Sequence, residues 1–391
     1  MLTPPDPAPR PAPRLRDLVW LFLRLGAIGF GGGMAVVALM EHDLVRKRKL
    51  MDLDEFLHGV ALGQILGPFA VNASLFVGNR RFGFLGGLAC AAAFLAPSVL
   101  LVILLSWLYF SFHSIPALQT ALRGLGPVVI ALILSAAWSM GRKAVRTLPA
   151  ILLLALALGL SLLKWNSLSI LAAGGAVGLW LGRDRLGKGS SPSKPPEASP
   201  SAAPAMLALP AASTAGAASS LLGLGWTFLK VGFVFFGGGF VLVPILHQSL
   251  VERLHWLSPQ QFLDGVAISN LTPGPIAVLA TFAGYRVQGV AGALVATAAL
   301  FLPAMALMSL LSHFYTRLKD LGRAKDLLAG LSPVVVGLIL GAALLLAKGA
   351  IHGFPGVMLA ILALILLLRF RWHPAFVLGL GALAGAVGLV R

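Results

Sequence analysis

Two cations stand inside apolar segments of this sequence, each at a fixed distance ahead of a run of three glycines. Arg24 lies in FLRLGAIGFGGG and Lys230 in FLKVGFVFFGGG, each six residues before the phenylalanine that precedes the glycines. A charged side chain at membrane depth costs roughly 2.5–3.5 kcal/mol on insertion scales. Because both segments keep this charge, the pattern predicts electrostatic capture of an anion. The alternative is that both side chains snorkel to a nearby water interface.

The glycines after each cation can expose backbone donors. Glycine disfavours a continuous helix by about 1 kcal/mol per residue, and a helix that begins after such a break directs its positive end toward an anion. Close packing of membrane helices at small residues is the alternative. The predicted contacts are Gly31, Gly32, Gly33, Gly237, Gly238 and Gly239.

A second break follows each of these segments, and it reads QILGPF in one case and NLTPGP in the other. Proline removes a backbone donor and disrupts a helix. The amides and hydroxyls at the break can donate to an oxyanion, or they can satisfy carbonyls that the break frees. Arginine ends both segments, and it suits bidentate contact with tetrahedral oxyanions, with topology anchoring as the alternative. The predicted contacts are Gln64, Asn270, Thr272, Pro273, Gly274, Pro275, Arg80 and Arg286.

Coupling of transport to an ion gradient requires a titratable group. Glu41 and His42 follow the first glycine break, and Asp264 stands at the start of an apolar segment after the second. Each is a candidate for proton coupling, and each can instead be a solvated loop residue. The patterns GxxxxGK[ST], HExxH and CxxC are absent, as is the nucleophile elbow GxSxG. The sequence therefore predicts no enzyme site, no metal and no cofactor.

Composition places these residues in a lipid bilayer. The chain is 58% hydrophobic and 11% charged, whereas soluble domains carry about 25% charged residues. Residues 85–122 contain no charge, and about 20 such residues cross a bilayer. The net charge of +17 lies mostly between apolar segments, as expected of cytoplasmic loops. These features predict an all-α polytopic membrane protein and argue against nucleic-acid binding.

The chain also contains an internal duplication. Its halves align with a shift of 206, which pairs Phe22 with Phe228 and Pro97 with Pro303. Each half has about six apolar segments, so we expect about 10–13 membrane segments with broken or re-entrant helices. Basic clusters stand at different places in the two repeats, which predicts inverted repeats with a binding site between them. The predicted units are a tail (1–16), a first repeat (17–182), a Ser/Pro-rich linker (183–220) and a second repeat (221–391).

These motifs resemble the chromate ion transporter (CHR) family in its two-domain, long-chain form. The resemblance rests on the two glycine segments, on WLSPQQFLDGVAISNLTPGPIAV and on the GYR that ends at Arg286. The first half departs from the family pattern, because it has Leu66-Gly67-Pro68-Phe69 where a Pro-Gly-Pro is usual. We therefore expect the two breaks to differ in shape.

The resemblance implies a multi-pass protein of the bacterial inner membrane that exports chromate, is driven by an ion gradient such as that of protons, and confers chromate resistance. Sulfate shares the charge and shape of chromate, so it is a second expected ligand. Transport of another anion, an uncoupled anion channel and a membrane scaffold are the alternatives. A homodimer is one assembly that this interpretation allows.

Overall fold

A computed structural model describes residues 14–29, 33–112, 115–186, 220–235, 239–313 and 322–389. These residues form fourteen α-helices and no strand, which confirms the predicted all-α class. Most of the predicted tail and linker lies outside the described residues, as do Gly31, Gly32, Gly237 and Gly238.

The helices of the first half precede the linker, and those of the second half repeat their order. The first half contains α1 (Leu15–Ile28), α2 (Gly33–Glu41), α3 (Leu53–Ile65), α4 (Phe69–Phe112), α5 (Pro116–Ala144), α6 (Leu148–Leu162) and α7 (Ser167–Leu186). The second half contains α8 (Leu221–Phe233), α9 (Leu242–His247), α10 (Pro259–Leu271), α11 (Leu279–His313), α12 (Gly322–Ala350), α13 (Gly353–Leu368) and α14 (Pro374–Ala386). Shorter helical turns cover Gly239–Val241 and Ile276–Val278, and π-helical turns cover His42–Lys47 and Gln248–Arg253.

Four helices of the described residues are long and apolar enough to cross a membrane, and five shorter apolar helices accompany them. The four candidate spans are Phe69–Phe112, Gln119–Ala144, Ile276–Ser312 and Gly330–Ala350. They fall at equivalent places in the two halves, two in each. The chain is therefore a multi-pass membrane protein with a repeated pattern of spans.

The longest helix, α4, is in fact two helices joined by a tight reversal at Gly83, where φ is 69°. A straight helix of 44 residues would be about 66 Å long, roughly twice the thickness of a bilayer core. The chain instead folds back, and a side chain on Gly78 would collide with the carbonyl of Gly86. The chain reverses in the same way at Gly289 in α11, where φ is 58°.

The short helix before each reversal forms a helical hairpin with the start of the helix that follows it. In the first half, α3 lies against the start of α4, and a side chain on Gly59 would collide with the ring of Phe76. In the second half, α10 lies against the start of α11, and a side chain on Gly265 would collide with the ring of Phe282. The predicted broken or re-entrant helices are therefore present in both repeats.

The two halves interlock through their later helices. α5 packs on α13 and α14 of the second half, and α12 packs on α6 and α7 of the first. The equivalent helices α5 and α12 also pack on each other, with Gly126 beside Ala350 and Gly141 beside Val336. Their residue numbers run in opposite directions along the contact, so this pair is antiparallel.

The core is built from large side chains that the duplication repeats. Several phenylalanines are almost completely buried, and a buried aromatic side chain removes a large apolar area from solvent. Three equivalent pairs stand out in this core: Phe22 and Phe228, Phe56 and Phe262, and Phe76 and Phe282. Equivalent buried phenylalanines therefore hold the broken helices of both halves in place.

Candidate functional site

Four helix breaks meet between the two halves. The backbone N–H of Gly274 donates to the carbonyl of Gly29 at 3.2 Å, and the hydroxyl of Ser98 donates to the carbonyl of Pro273. A side chain on Gly67 would collide with the carbonyl of Phe235. Gly29 and Phe235 are equivalent under the shift of 206, so the tip of each half contacts the glycine break of the other. We call this region the central junction; it comprises residues 29, 66–68, 235 and 272–275.

The glycines at the two hairpin tips share one unusual backbone angle despite the different sequences around them. Gly67 has φ of +100° and Gly274 has φ of +99°, a region that glycine enters without the strain that a Cβ atom causes. The expectation that the breaks differ in shape is confirmed before this glycine, because Leu66 after α3 has ψ of 11° whereas Thr272 after α10 has ψ of 150°. It also holds for the residues that follow, because the turn Ile276–Val278 precedes α11 whereas α4 begins directly at Phe69.

The central junction is surrounded by helix starts and buried polar groups. Helices α2, α4 and α11 begin beside the breaks, and the first N–H groups of a helix lack partners within it, which gives that end a partial positive charge. Asn72, in the first turn of α4, is fully buried. Its Nδ2 donates to the carbonyl of Leu66 at 3.4 Å, while its Oδ1 has no hydrogen-bond partner among the described residues. The side-chain atom left unpaired beside the junction is thus an acceptor, and the positive character of the junction comes from the helix starts.

The predicted polar contacts at the tips are already engaged. Asn270 donates from Nδ2 to the carbonyl of Val266 at 2.8 Å, and Thr272 donates to the carbonyl of Ser269 at 3.1 Å. These bonds match the alternative in which side chains satisfy backbone carbonyls. Gln64 lies exposed near the end of α3.

Arg24 and Lys230 lie about one turn before the junction along α1 and α8. Both side chains are exposed, whereas the neighbouring Phe22 and Phe228 are buried against the protein. The ammonium of Lys230 lies 6.0 Å from the ring of Trp226. The structure places both cations on the outer side of their helices, and it does not bring them into the packed junction.

The three predicted proton-coupling residues have different surroundings. Glu41 pairs with the exposed Arg46 at 2.9 Å, and His42 is exposed. Asp264, by contrast, is only 1% exposed. Its Oδ2 accepts from the Tyr109 hydroxyl at 2.7 Å, and its Oδ1 accepts from Gln260 at 2.9 Å. The chain therefore has one buried carboxylate among the three candidates, and that carboxylate is bonded across the two halves.

The helix that carries Asp264, α10, is neither one of the candidate membrane spans nor one of the shorter apolar helices. Burial raises the pKa of the Asp264 carboxyl, and the hydrogen bonds from Tyr109 and Gln260 offset part of that effect. The cause is loss of water around the charged form.

The arginines that end the second breaks also differ. Arg80 forms an ion pair with Glu55 at 2.7 Å. The guanidinium of Arg286 instead lies 5.6 Å from the ring of Phe110 in the first half. Arg286 lines a cleft of about 280 Å³ together with Phe110, Gln261 and Tyr285.

Sequence reasoning did not select Ser98, Tyr109 or Gln261. The first two act across the interface between the halves, and no local pattern marks them. Gln261 could have been identified from the repeat alignment, because it stands at the position of Glu55 and replaces an acid with an amide.

Two interlocked halves whose interrupted helices meet at their interface define a polytopic membrane protein built from two repeats. This chain belongs to the chromate transporter family, whose sequence profile matches residues 16–179 and 222–386. The match confirms the predicted family and its two repeats.

Relatives from several bacteria match over most of their length. The chromate transport protein of Cupriavidus metallidurans is 34% identical over 389 residues, which cover 97% of this chain and 94% of that protein. The probable chromate transport protein of Synechococcus elongatus is 32% identical and covers 91% of this chain and 90% of its own. The chromate transport protein of Pseudomonas aeruginosa is 32% identical, with 81% and 77% covered. No solved structure matches the chain.

Proposed function

We propose that this protein is a secondary transporter that exports chromate across the bacterial inner membrane, coupled to a proton gradient, and so confers chromate resistance. Three bacterial relatives that are named for chromate transport support the choice of substrate. The observation that carries the mechanism is the reciprocal contact of the breaks, Gly274 with Gly29 and Gly67 with Phe235. A site built from both halves can change its access when one half moves against the other.

Chromate is a tetrahedral dianion, and the junction is suited to such a ligand. Helix starts and backbone N–H groups supply partial positive charge without a bulky side chain. Arg24 and Lys230, about one turn away, raise the local concentration of anions. The proposed substrate contacts at the breaks are Gly31, Gly32, Gly33, Gly237, Gly238, Gly239, Gln64, Pro273, Gly274 and Pro275. Arg24 and Lys230 contact the anion as it approaches, and Asn270 and Thr272 contact it only after they leave the carbonyls of Val266 and Ser269. Arg80 is left out because Glu55 already neutralises it.

We infer that the two halves have opposite orientations in the membrane. The antiparallel packing of α5 on α12 supports this, since these helices are equivalents. Contacts at the two ends of the bundle support it as well. Asn79, near the reversal in α4, donates to the carbonyl of Ser309 near the end of α11 at 3.4 Å. Tyr109, near the end of α4, bonds Asp264 in the helical hairpin of the second half.

Proton coupling is assigned to Asp264. Buried ionisable residues in membrane proteins mark ion and proton pathways, and this carboxylate is held by Tyr109 of the opposite half. Protonation removes its negative charge and weakens it as an acceptor. The bond between the halves therefore depends on whether a proton is present, which links proton binding to their relative movement.

Accumulation of labelled chromate in cells tests this function. We expect cells that express the protein to accumulate less chromate than cells without it, and an uncoupler of the proton gradient to abolish the difference. Equal accumulation with and without the protein would contradict chromate export. Selective loss of labelled sulfate would identify sulfate as the substrate, and flux that ignores the uncoupler would identify a channel.

A further inference from the structure

The duplication places two arginines at equivalent positions of the repeats, but their surroundings differ. Arg80 and Arg286 are paired by the shift of 206. The guanidinium of Arg80 is neutralised by the carboxylate of Glu55 at 2.7 Å. Among the described residues, no carboxylate forms an ion pair with Arg286. One copy thus carries its own counter-ion, and the other does not.

The difference traces to a single replacement in the repeat. The residue equivalent to Glu55 is Gln261, which is the third residue of α10 and part of a capping box with Ser258. Its Oε1 accepts from the backbone N–H of Ser258 at 3.0 Å. The acceptor end of this amide is therefore occupied, which leaves its Nε2 as the end that can donate to a ligand.

Space for a ligand exists beside this arginine. A cleft of about 280 Å³ is lined by Arg286, Gln261, Tyr285 and Phe110, room for a small oxyanion and several waters of about 30 Å³ each. Phe110 comes from the first half; its ring stacks on that of Tyr285, with centroids 6.1 Å apart and planes 10° apart. The cleft therefore lies on the seam between the halves.

The nearby acid does not take the place of a counter-ion. The two carboxylate oxygens of Asp264 accept from Tyr109 and Gln260, which are the sequence neighbours of Phe110 and Gln261. The guanidinium of Arg286 remains over the ring of Phe110. A cation–π contact leaves the edge of a guanidinium available for bidentate bonds to an oxyanion.

We propose that this cleft is a second binding site for a tetrahedral oxyanion, outside the central junction. Arg286 supplies the charge, and the Gln261 amide and the Tyr285 hydroxyl supply further donors. Because the cleft lies at the interface between the halves, we assign it as an intermediate binding site that the anion occupies as it enters or leaves the central junction. That place on the path rests on the proposed transport function, whereas binding in the cleft does not.

Binding of labelled sulfate to the purified full-length protein in lipid nanodiscs tests the site without any transport. Gln261→Glu places a carboxylate where the first half has Glu55, and glutamate also serves at this position of a capping box. We expect Gln261→Glu and Arg286→Gln each to weaken sulfate binding in the cleft by about tenfold or more, because a charge-assisted contact is lost. Arg286→Lys keeps the charge and should retain part of the binding. Arg80→Gln is the matched control and should bind as the wild type does.

A cysteine placed in the cleft gives a local readout. Cys90 is the single cysteine of the chain and is buried, so Cys90→Ala provides the background for Gln261→Cys. We expect this thiol to react faster with an anionic methanethiosulfonate than with a cationic one of similar size, and sulfate to protect it. Adding Arg286→Gln should remove both the preference and the protection.

The proposal is overturned if sulfate binding is unchanged in both Gln261→Glu and Arg286→Gln, or if the thiol shows neither anion preference nor protection. Thermal unfolding of the two variants, compared with that of the wild type, establishes that they are folded. Sulfate binding that depends on Arg286 in a protein that moves no chromate would leave the cleft standing and refute the transport function. Chromate export by the protein, together with unchanged sulfate binding in these variants, would support the transport function and refute the binding site in the cleft.

Discussion

The backbone N–H of Gly274 donates to the carbonyl oxygen of Gly29 at 3.2 Å, so the hairpin tip of one half is bonded to the glycine break of the other. The equivalent contact joins Gly67 and the carbonyl of Phe235. Two breaks that are far apart in the sequence thus form one junction that neither half contains alone. A mechanism in which one half moves against the other must act on these contacts.

The hairpin tips should not tolerate a side chain. Gly274→Ala places a Cβ atom at φ of +99° and against the Ser98 hydroxyl, and alanine in this region costs about 1–2 kcal/mol before any collision. We expect at least about a tenfold loss of chromate export rate, since about 1.4 kcal/mol corresponds to a factor of ten. Gly67→Ala should behave in the same way.

Gly159→Ala in α6 is the matched control, because nothing lies within 4 Å of the added Cβ atom. It should export chromate and unfold thermally as the wild type does. Wild-type export rates in both tip variants would show that the junction is not on the transport path.

The cations before the glycine breaks should be needed for transport and not for insertion. Arg24→Ala and Lys230→Ala are each expected to abolish chromate resistance, because each removes positive charge about one turn from the junction. Both side chains are exposed, so the protein should still insert, as measured by its amount in the membrane fraction. Full resistance in the double variant would exclude these residues from the site.

Asp264→Asn should uncouple export from the proton gradient. The variant keeps the size of the side chain, and the Gln260 amide can rotate to accept from the new NH₂ group. We expect chromate flux that no longer responds to an imposed pH gradient, while Glu41→Gln, which only loses an exposed ion pair, keeps the response. A normal response in Asp264→Asn would assign coupling to another group.

Asp264 also predicts a pH dependence of stability. Burial raises its folded-state pKa above the ordinary value of 3.8, so the folded protein holds this proton more tightly than the unfolded chain does. The stabilisation is fully present below the ordinary pKa and is lost as pH rises through the raised one. The melting temperature of Asp264→Asn relative to that of the wild type should therefore increase with pH. If the difference in melting temperature stays constant as pH rises from the ordinary pKa through the raised one, the burial of this carboxyl is contradicted.

Opposite orientation of the halves predicts opposite exposure of their two reversals. Arg81→Cys and Gln288→Cys, each made with Cys90→Ala, place a thiol just before Gly83 and Gly289. A membrane-impermeant maleimide should label one variant in right-side-out vesicles and the other in inverted vesicles. Labelling of both from the same side would contradict inversion.

The helical class, the duplication and the broken helices were predictable because they depend on local patterns. Apolar runs, paired prolines and the glycine segments recur at one spacing, and the chain folds accordingly in both halves. The missing proline at Leu66 correctly predicted a different break. The φ that Gly67 shares with Gly274 was not predicted, because it depends on the glycine and not on the proline.

The composition of the site was less accessible from the sequence. Ser98 and Tyr109 reach across the seam to the second half, and a single sequence carries no signal for contacts between distant segments. Arg80 and Arg286 look equivalent in the sequence, but the structure separates them through Glu55 and Gln261, which the repeat alignment already pairs.

Uptake of labelled chromate into inverted membrane vesicles at imposed pH gradients tests the central claim most directly. Inverted vesicles expose the cytoplasmic face, so an exporter that exchanges chromate for protons should fill vesicles whose interior is acidic. We expect uptake that follows the size of the gradient in the wild type and is lost in Gly274→Ala. Uptake that is absent at every gradient, or identical with and without one, would contradict proton-coupled export of chromate by this protein.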